Sequence, residues 1–107
     1  MKLITKEIER ELRENHKQDS GAPVLKLFGG GACTWLISQM YPDGDTLFGL
    51  CDLGHGFPEM GCVSLTELEE IHFPPFGLGV ERDKFFQADR DLTEYCDEAR
   101  ELGYISA

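Results

Sequence analysis

Four short apolar segments follow one another in the middle of the chain, joined by links of only a few residues. We predict strands at Val24–Phe28, Cys33–Tyr41, Thr46–Leu53 and Met60–Ser64. Three glycines after the first segment and a Pro-Asp-Gly-Asp sequence after the second are typical of tight turns. Parallel strands need a crossover of about a dozen residues or more, and none of these links is long enough. The sequence therefore predicts an antiparallel meander.

An amphipathic helix is predicted ahead of the strands. Thr5 is placed to cap its N-terminus. Ile4, Ile8 and Leu12 recur every four residues, which gives the helix one apolar stripe. We expect it to end near Asn15, before a segment rich in polar and turn-forming residues.

Two capping boxes predict further helices after the strands. Ser64-Leu65-Thr66-Glu67 opens a short helix that is expected to reach about His72, where two prolines follow. Asp91-Leu92-Thr93-Glu94 opens a longer helix that ends at a glycine. Its predicted buried positions are Leu92, Tyr95, Cys96, Ala99 and Leu102. Between these two helices, Phe76–Val80 is predicted to add an edge strand.

Together these elements predict a single α+β domain over residues 1–107, with an antiparallel sheet of four to five strands, a meander, packed by three helices. Apolar residues lie on both faces of the predicted strands. In the second strand, strict alternation places Trp35 and Ile37 on one face and Leu36 and Met40 on the other. Either helices cover both faces, or one face pairs with another copy of the chain in a homodimer.

The charge distribution restricts the choice of partner. The net charge is −10, and the stretch between Lys26 and Arg82 holds eight carboxylates and neither lysine nor arginine. Such a surface repels nucleic acid and anionic lipid and attracts basic protein grooves, so direct nucleic-acid binding is disfavoured. The first residues lack the apolar run of a signal peptide, and no stretch approaches the roughly 20 apolar residues of a membrane span. We expect a cytoplasmic protein without membrane contact.

The cysteines are spaced too widely to form a Cys-x-x-Cys pair. They are Cys33, Cys51, Cys62 and Cys96. In a reducing compartment we expect free thiols that pack as small apolar groups. Zinc bound by Cys51, His55 and Cys62 is the alternative, although only the first two have the short spacing of structural zinc ligands. No metal and no cofactor are predicted.

Glu81-Arg82-Asp83 follows a glycine-rich segment and is predicted to be structural. In this interpretation the Arg82 guanidinium forms an internal ion pair with one of the acids and fixes the chain after the last strand. A binding site at the same motif is the alternative.

Catalytic signatures are not evident, and we expect no catalytic residues. No cysteine lies at an evident helix N-terminus or beside a lysine or arginine, which would activate its thiol. Gly29-Gly30-Gly31 precedes a strand, so no helix N-terminus faces an anion held there. The alternative is a small metal-dependent or hydrolytic enzyme that uses Glu59, Glu81, Asp83 or His55.

Several motifs between Phe28 and Phe86 resemble one known family. In order they are Thr34-Trp35, Phe48-Gly49-Leu50, Glu59-Met60-Gly61, Ser64-Leu65-Thr66-Glu67-Leu68 and the glycine-rich run that ends in Glu81-Arg82-Asp83-Lys84-Phe85-Phe86. With the Lys2-Leu3-Ile4-Thr5 opening, they are similar to the family known as domain of unknown function 2958. The resemblance implies a small cytoplasmic protein of plasmids, phages and other mobile elements, often encoded beside genes that counter host defences. It supplies no catalytic residues, and Gln39 replaces the glutamate that members usually carry there.

Charge and resemblance together predict a non-enzymatic inhibitor. We expect an acidic protein that binds the basic groove of a host nucleic-acid-handling complex, as a DNA mimic of the anti-CRISPR or anti-restriction type. The residues predicted to contact this partner are Asp43, Asp45, Asp52, Glu59, Glu67 and Glu70. A homo-oligomeric accessory or regulatory protein, joined through an apolar sheet face, is a further alternative.

Overall fold

The computed structural model describes residues 2–107. Within them the chain forms five antiparallel strands and three helices, joined by turns and loops. The strands are β1 (Leu25–Gly29), β2 (Cys33–Met40), β3 (Thr46–Asp52), β4 (Glu59–Ser64) and β5 (Glu81–Arg82). The helices are α1 (Lys6–Gln18), α2 (Leu65–Glu70) and α3 (Leu92–Leu102). The predicted α+β class is confirmed, and β1 to β4 agree with the predicted strands to within one residue at each end. None of these helices is long and apolar enough to cross a membrane.

The first four strands form the predicted meander, but the fifth does not continue it. The strand order is β4-β3-β2-β1-β5, so β5 pairs with β1 at the edge of the sheet opposite β4. The predicted strand Phe76–Val80 is wrong. Gly77 has a positive φ of 68° and turns the chain back, so that the Phe73 N–H donates to the Leu78 carbonyl at 2.7 Å.

Local hydrogen bonds fix where α1 begins and ends. The Thr5 hydroxyl accepts a backbone N–H of the first turn at 3.1 Å, which confirms the predicted cap. The helix extends three residues beyond the predicted end at Asn15, because Asp19 adopts the left-handed conformation and its N–H closes the last turn. By contrast, α2 stops short of the predicted His72, since Ile71 is extended and packs against the core.

The third helix has the predicted capping box and end. The Glu94 carboxylate accepts the N–H of Asp91 at 3.2 Å, and Gly103 adopts the left-handed conformation with a φ of 82°. Of the predicted buried positions on α3, Leu102 is wrong, because it is 47% exposed. After the glycine reverses the chain, Ile105 supplies the apolar contact at this end instead.

Helices cover both faces of the sheet, as one of the two sequence-based interpretations predicted. On one face, α1 and α2 pack over Trp35, Ile37 and Leu47. On the other face, α3 packs over Leu36 and Leu50. The core therefore consists of two apolar layers separated by the sheet, which explains why the strands are apolar on both sides.

A β-bulge in β2 changes which face the end of the strand presents. The register with β3 slips at Ser38, which has no partner across the pair. Beyond the bulge, Met40 packs in the same layer as Trp35 and Ile37. Strict alternation had placed Met40 with Leu36, and that prediction is wrong.

Candidate partner-binding surface

Four of the six carboxylates predicted to contact a partner lie where the turn between β2 and β3 meets α2. We call this group the acidic corner, and it consists of Asp43, Asp45, Glu67 and Glu70. Asp45 joins its two parts, because its carboxylate accepts the Ser64 hydroxyl, the Thr66 hydroxyl and the Thr66 N–H at 2.6, 2.6 and 2.8 Å. These bonds hold the turn against the start of the helix.

Asp43 is fixed within the turn itself. Its carboxylate accepts the Thr46 hydroxyl at 2.6 Å and the N–H groups of Thr46 and Asp45 at 2.8 and 2.9 Å. These hydrogen bonds, the Thr46 hydroxyl first, lower the pKa of Asp43 from 3.8 to about 2. The bond from the Ser64 hydroxyl is the main reason that the pKa of Asp45 is also lowered. Both groups are therefore fully charged at neutral pH.

Glu67 and Glu70 extend the acidic corner along α2. Three residues apart on a helix, they lie on one face, and both are exposed. Among residues 2–107, no salt bridge within 4.0 Å joins any carboxylate of the corner to a basic side chain. Glu69, between them, instead turns towards the N-terminal segment, where its carboxylate accepts the Leu3 N–H at 3.0 Å.

The structure separates the other two predicted acids from this group. Asp52 is only 3% exposed, and its carboxylate accepts the N–H groups of Gly54 and Ile105 at 2.9 and 3.1 Å. It therefore belongs to no open acidic surface, which corrects its sequence-based grouping with the others. Glu59 is exposed but lies at the opposite end of β4 from Ser64. The predicted set is thus divided between two ends of the sheet.

The hydrogen-bond donors that hold the acidic corner together, Ser64 and Thr66, were not predicted from the sequence to have this role. Ser64 and Thr66 were recognised only for their place in a helix-capping box. They lie 19 and 21 residues from Asp45, and the pairing of Thr46 with Ser64 across β3 and β4 brings them together. No local pattern encodes that register, so no sequence signal pointed to these bonds.

The Arg82 guanidinium has a different partner from the predicted one. It donates to the Leu3 carbonyl at 2.6 Å, and within residues 2–107 it forms no salt bridge with an acid. The predicted internal ion pair is therefore wrong. Asp83 pairs instead with Lys26 at 3.6 Å. The motif still fixes the chain, because both Arg82 and Glu69 of α2 bind the N-terminal segment at Leu3. Arg82 donates to the Leu3 carbonyl, and Glu69 accepts the Leu3 N–H.

The cysteines and histidine of the zinc alternative do not converge. Cys51 packs on the α1 side of β3, whereas Cys62 pairs across the strands with Phe48, which packs on the α3 side. Burial raises the pKa of the Cys51 thiol to about 11. Within residues 2–107, no group of three or more histidine, cysteine or acidic side chains is arranged to hold a metal ion.

The stabilising role of Asp43 predicts a specific pH dependence. Because folding lowers its pKa, the ionised carboxylate stabilises the fold above pH 3.8, and this contribution is lost as the pH falls through about 2. We expect Asp43→Asn to lower the urea midpoint at pH 7 and to approach the wild type as the pH falls below about 2. Glu70→Gln, whose carboxylate is free of such bonds in the described structure, should change little at either pH. A constant difference for Asp43→Asn across this range would contradict the assignment.

Fold and surface together define a small acidic α+β protein with an exposed carboxylate cluster on a rigid turn and helix. The chain belongs to the family described as Protein of unknown function (DUF2958), which matches residues 3–106. This match confirms the resemblance noted from the sequence motifs and extends it to nearly the whole chain. Searches of the curated proteins and of the solved structures each found no significant match.

Proposed function

We propose that this protein is a non-enzymatic inhibitor whose acidic corner occupies a basic, nucleic-acid-binding groove of another protein. The observation that supports the proposal is the network at Asp45, which joins a turn and a helix so that three exposed carboxylates and the half-buried Asp45 share one corner. As proposed targets we choose host defence complexes of the CRISPR or restriction type. That choice follows from the mobile-element setting that the family resemblance implies.

Rigidity favours this use of charge. Asp43 and Asp45 are held by several short hydrogen bonds each, so little conformational freedom is lost when a partner binds them. Within residues 2–107, no basic side chain lies in salt-bridge range of the corner, and Arg13 is the one nearby base that helps to lower the pKa of Asp43. Four carboxylates against this one base leave the corner with a net negative potential. Such a potential accelerates encounter with a basic groove and weakens as salt is added.

Charge reversal on α2 tests the proposal. We expect Glu67→Lys/Glu70→Lys to lower the amount of target retained from a host lysate by about tenfold or more, because two attractions become repulsions. Retained proteins are identified by mass spectrometry, and duplex DNA should elute the same target, since both compete for one groove. The lysate should come from a strain that expresses CRISPR and restriction effectors.

A matched control comes from the other side of the sheet. Asp97→Lys/Glu101→Lys makes the same change of charge at two exposed positions on α3. This variant should retain the target nearly as well as the wild type. If both double variants lose the target equally, net charge alone explains the binding, and the acidic corner has no special role. If the α2 variant retains it fully, the proposal is wrong.

A further inference from the structure

A cleft of about 340 Å³ opens at the other end of β3 from the acidic corner. Three chain segments form it: the turn between β1 and β2, the segment that follows β3, and the residues after α3. Its lining includes Gly31, Asp52, Gly54, Gly56, Tyr104 and Ile105. Asp52 is the single charged residue in this lining, so one carboxylate sets the charge of the cleft.

The Asp52 carboxylate is buried without a cation. It accepts two backbone N–H groups, from Gly54 and Ile105, whereas a carboxylate has room for about four hydrogen bonds. In the structure of residues 2–107, no lysine, arginine or histidine lies within 4.0 Å of it. Its charge is felt nearby, since it adds to the effect of burial in raising the pKa of Cys33. Buried charges in proteins are normally paired, so the carboxylate that lines this cleft favours a cation as its ligand.

The surroundings of the cleft suit a cation that is carried on an apolar stem. Tyr104 lines the cleft and is 54% exposed, which leaves its ring available to a cation. Leu53 and Phe57, which adjoin lining residues in the chain, are 54% and 79% exposed. A Cβ added at Gly31 or at Gly56 would meet no atom within 4 Å, so the cleft is open beside these two glycines. Large exposed apolar side chains beside a cleft are a common feature of protein interaction sites.

We infer that this cleft receives the ammonium or guanidinium group of a lysine or arginine side chain presented by a partner protein. The cation would pair with Asp52, its stem would lie against Tyr104, and the neighbouring partner residues would cover Leu53 and Phe57. Charge complementarity selects this occupant, since an anion would meet the buried carboxylate. The inference does not depend on the acidic corner, which lies at the opposite end of β3.

Titration of the ¹⁵N-labelled protein with acetyl-arginine-amide, at constant ionic strength, tests the inference. The amide signals of Gly54, Gly103 and Ile105 should shift in a saturable way, and acetyl-norleucine-amide, which lacks the charge, should not shift them. Acetyl-Leu-Arg-Leu-amide should bind several-fold more tightly than acetyl-arginine-amide, because its flanking side chains contact the apolar rim. Equal affinity would show that the cleft takes a free cation and would overturn the assignment to a partner side chain.

Two variants complete the test. Asp52→Asn should weaken binding of acetyl-Leu-Arg-Leu-amide by about tenfold. Tyr104→Ala leaves the carboxylate in place and should weaken binding of the same peptide a few-fold. If Asp52→Asn does not fold, the result for Tyr104→Ala alone tests the inference. Unchanged affinity in Tyr104→Ala, equal shifts with norleucine, or no saturable shift would each overturn the inference. Glu67→Lys/Glu70→Lys should bind the peptide normally, so that this inference and the proposed function fail separately.

Discussion

Replacement of Gly49 by alanine is expected to destabilise the fold by about 3 kcal/mol or more. Gly49 lies in β3 beside the bulged part of β2, and the two backbones approach closely there. An added Cβ would lie 2.8 Å from the Ile37 Cα and closer still to the Leu36 carbonyl oxygen. Both are main-chain atoms in the middle of the sheet, so neither can move aside without disturbing the pairing. Urea unfolding followed by circular dichroism measures the loss.

The control for this variant lies directly across the strand pair. Gly61 of β4 is the register partner of Gly49, and a Cβ there would meet nothing within 4 Å. We expect Gly61→Ala to change the stability by less than about 0.5 kcal/mol, because alanine adds no clash and reduces the freedom of the unfolded chain. Similar losses in both variants would mean that general strand effects dominate and that the close approach at Gly49 is not the cause.

Truncation of Leu36 is expected to cost about 3 kcal/mol, within the range for a buried leucine that leaves a cavity. Its side chain is fully buried beneath α3 with Leu50 and Tyr95. A domain of this size is stable by only about 5–15 kcal/mol, so Leu36→Ala should shift the urea midpoint markedly. Hydrogen exchange should show faster exchange in α3, because this helix packs on the altered layer.

An exposed leucine serves as the comparison. Leu53 follows β3 and is 54% exposed, so Leu53→Ala should lower the stability by less than about 1 kcal/mol. If Leu36→Ala proves as mild as Leu53→Ala, then α3 does not cover this face of the sheet. The open face would then be available to a second copy of the chain, which was the alternative raised by the strand pattern.

Much of the fold follows from local sequence patterns. The first four strands are apolar runs bounded by glycine, proline and aspartate, and their ends were predicted to within one residue. The short strand β5 has only two residues, Glu81–Arg82, which is too few for any periodicity to be detected. Its position depends on pairing with β1, far away in the chain. Elements defined by long-range pairing are therefore where the prediction failed.

The bulge shows the same limit at a single residue. Ser38 carries no glycine or proline signal, yet it is the residue left without a cross-strand partner. The slip is a change in the pairing register between β2 and β3, and it places Met40 in the apolar layer beneath α1. A pattern of period two cannot reveal where the period is broken.

The candidate site was predicted in part, since charge can be counted from the sequence but its exposure cannot. Asp43 comes just after one apolar segment and Asp52 lies near the end of another, so their sequence surroundings do not distinguish them. One is exposed in a turn, whereas the other is buried because the Ile105 N–H, 53 residues further along the chain, bonds to it. Only the tertiary structure shows that four of the six acids form the acidic corner, that Asp52 lines a cleft, and that Glu59 lies apart from both at the start of β4.

Strand β4 lies at the end of the sheet, and in the described residues no further strand pairs with its outer side. Unpaired strand edges invite addition of strands from other molecules and so promote aggregation. Here Glu59 stands at one end of that edge and the acidic corner at the other, so two copies that meet edge to edge would bring like charges together. The carboxylates that we propose bind a basic protein would thus also keep copies of this chain apart. Neutral substitutions on α2 would weaken both effects at once, and reversal to lysine would place positive charge opposite the Glu59 of an antiparallel neighbour. A loss of target binding in such variants is therefore to be compared only between samples shown by light scattering to have the same oligomeric state.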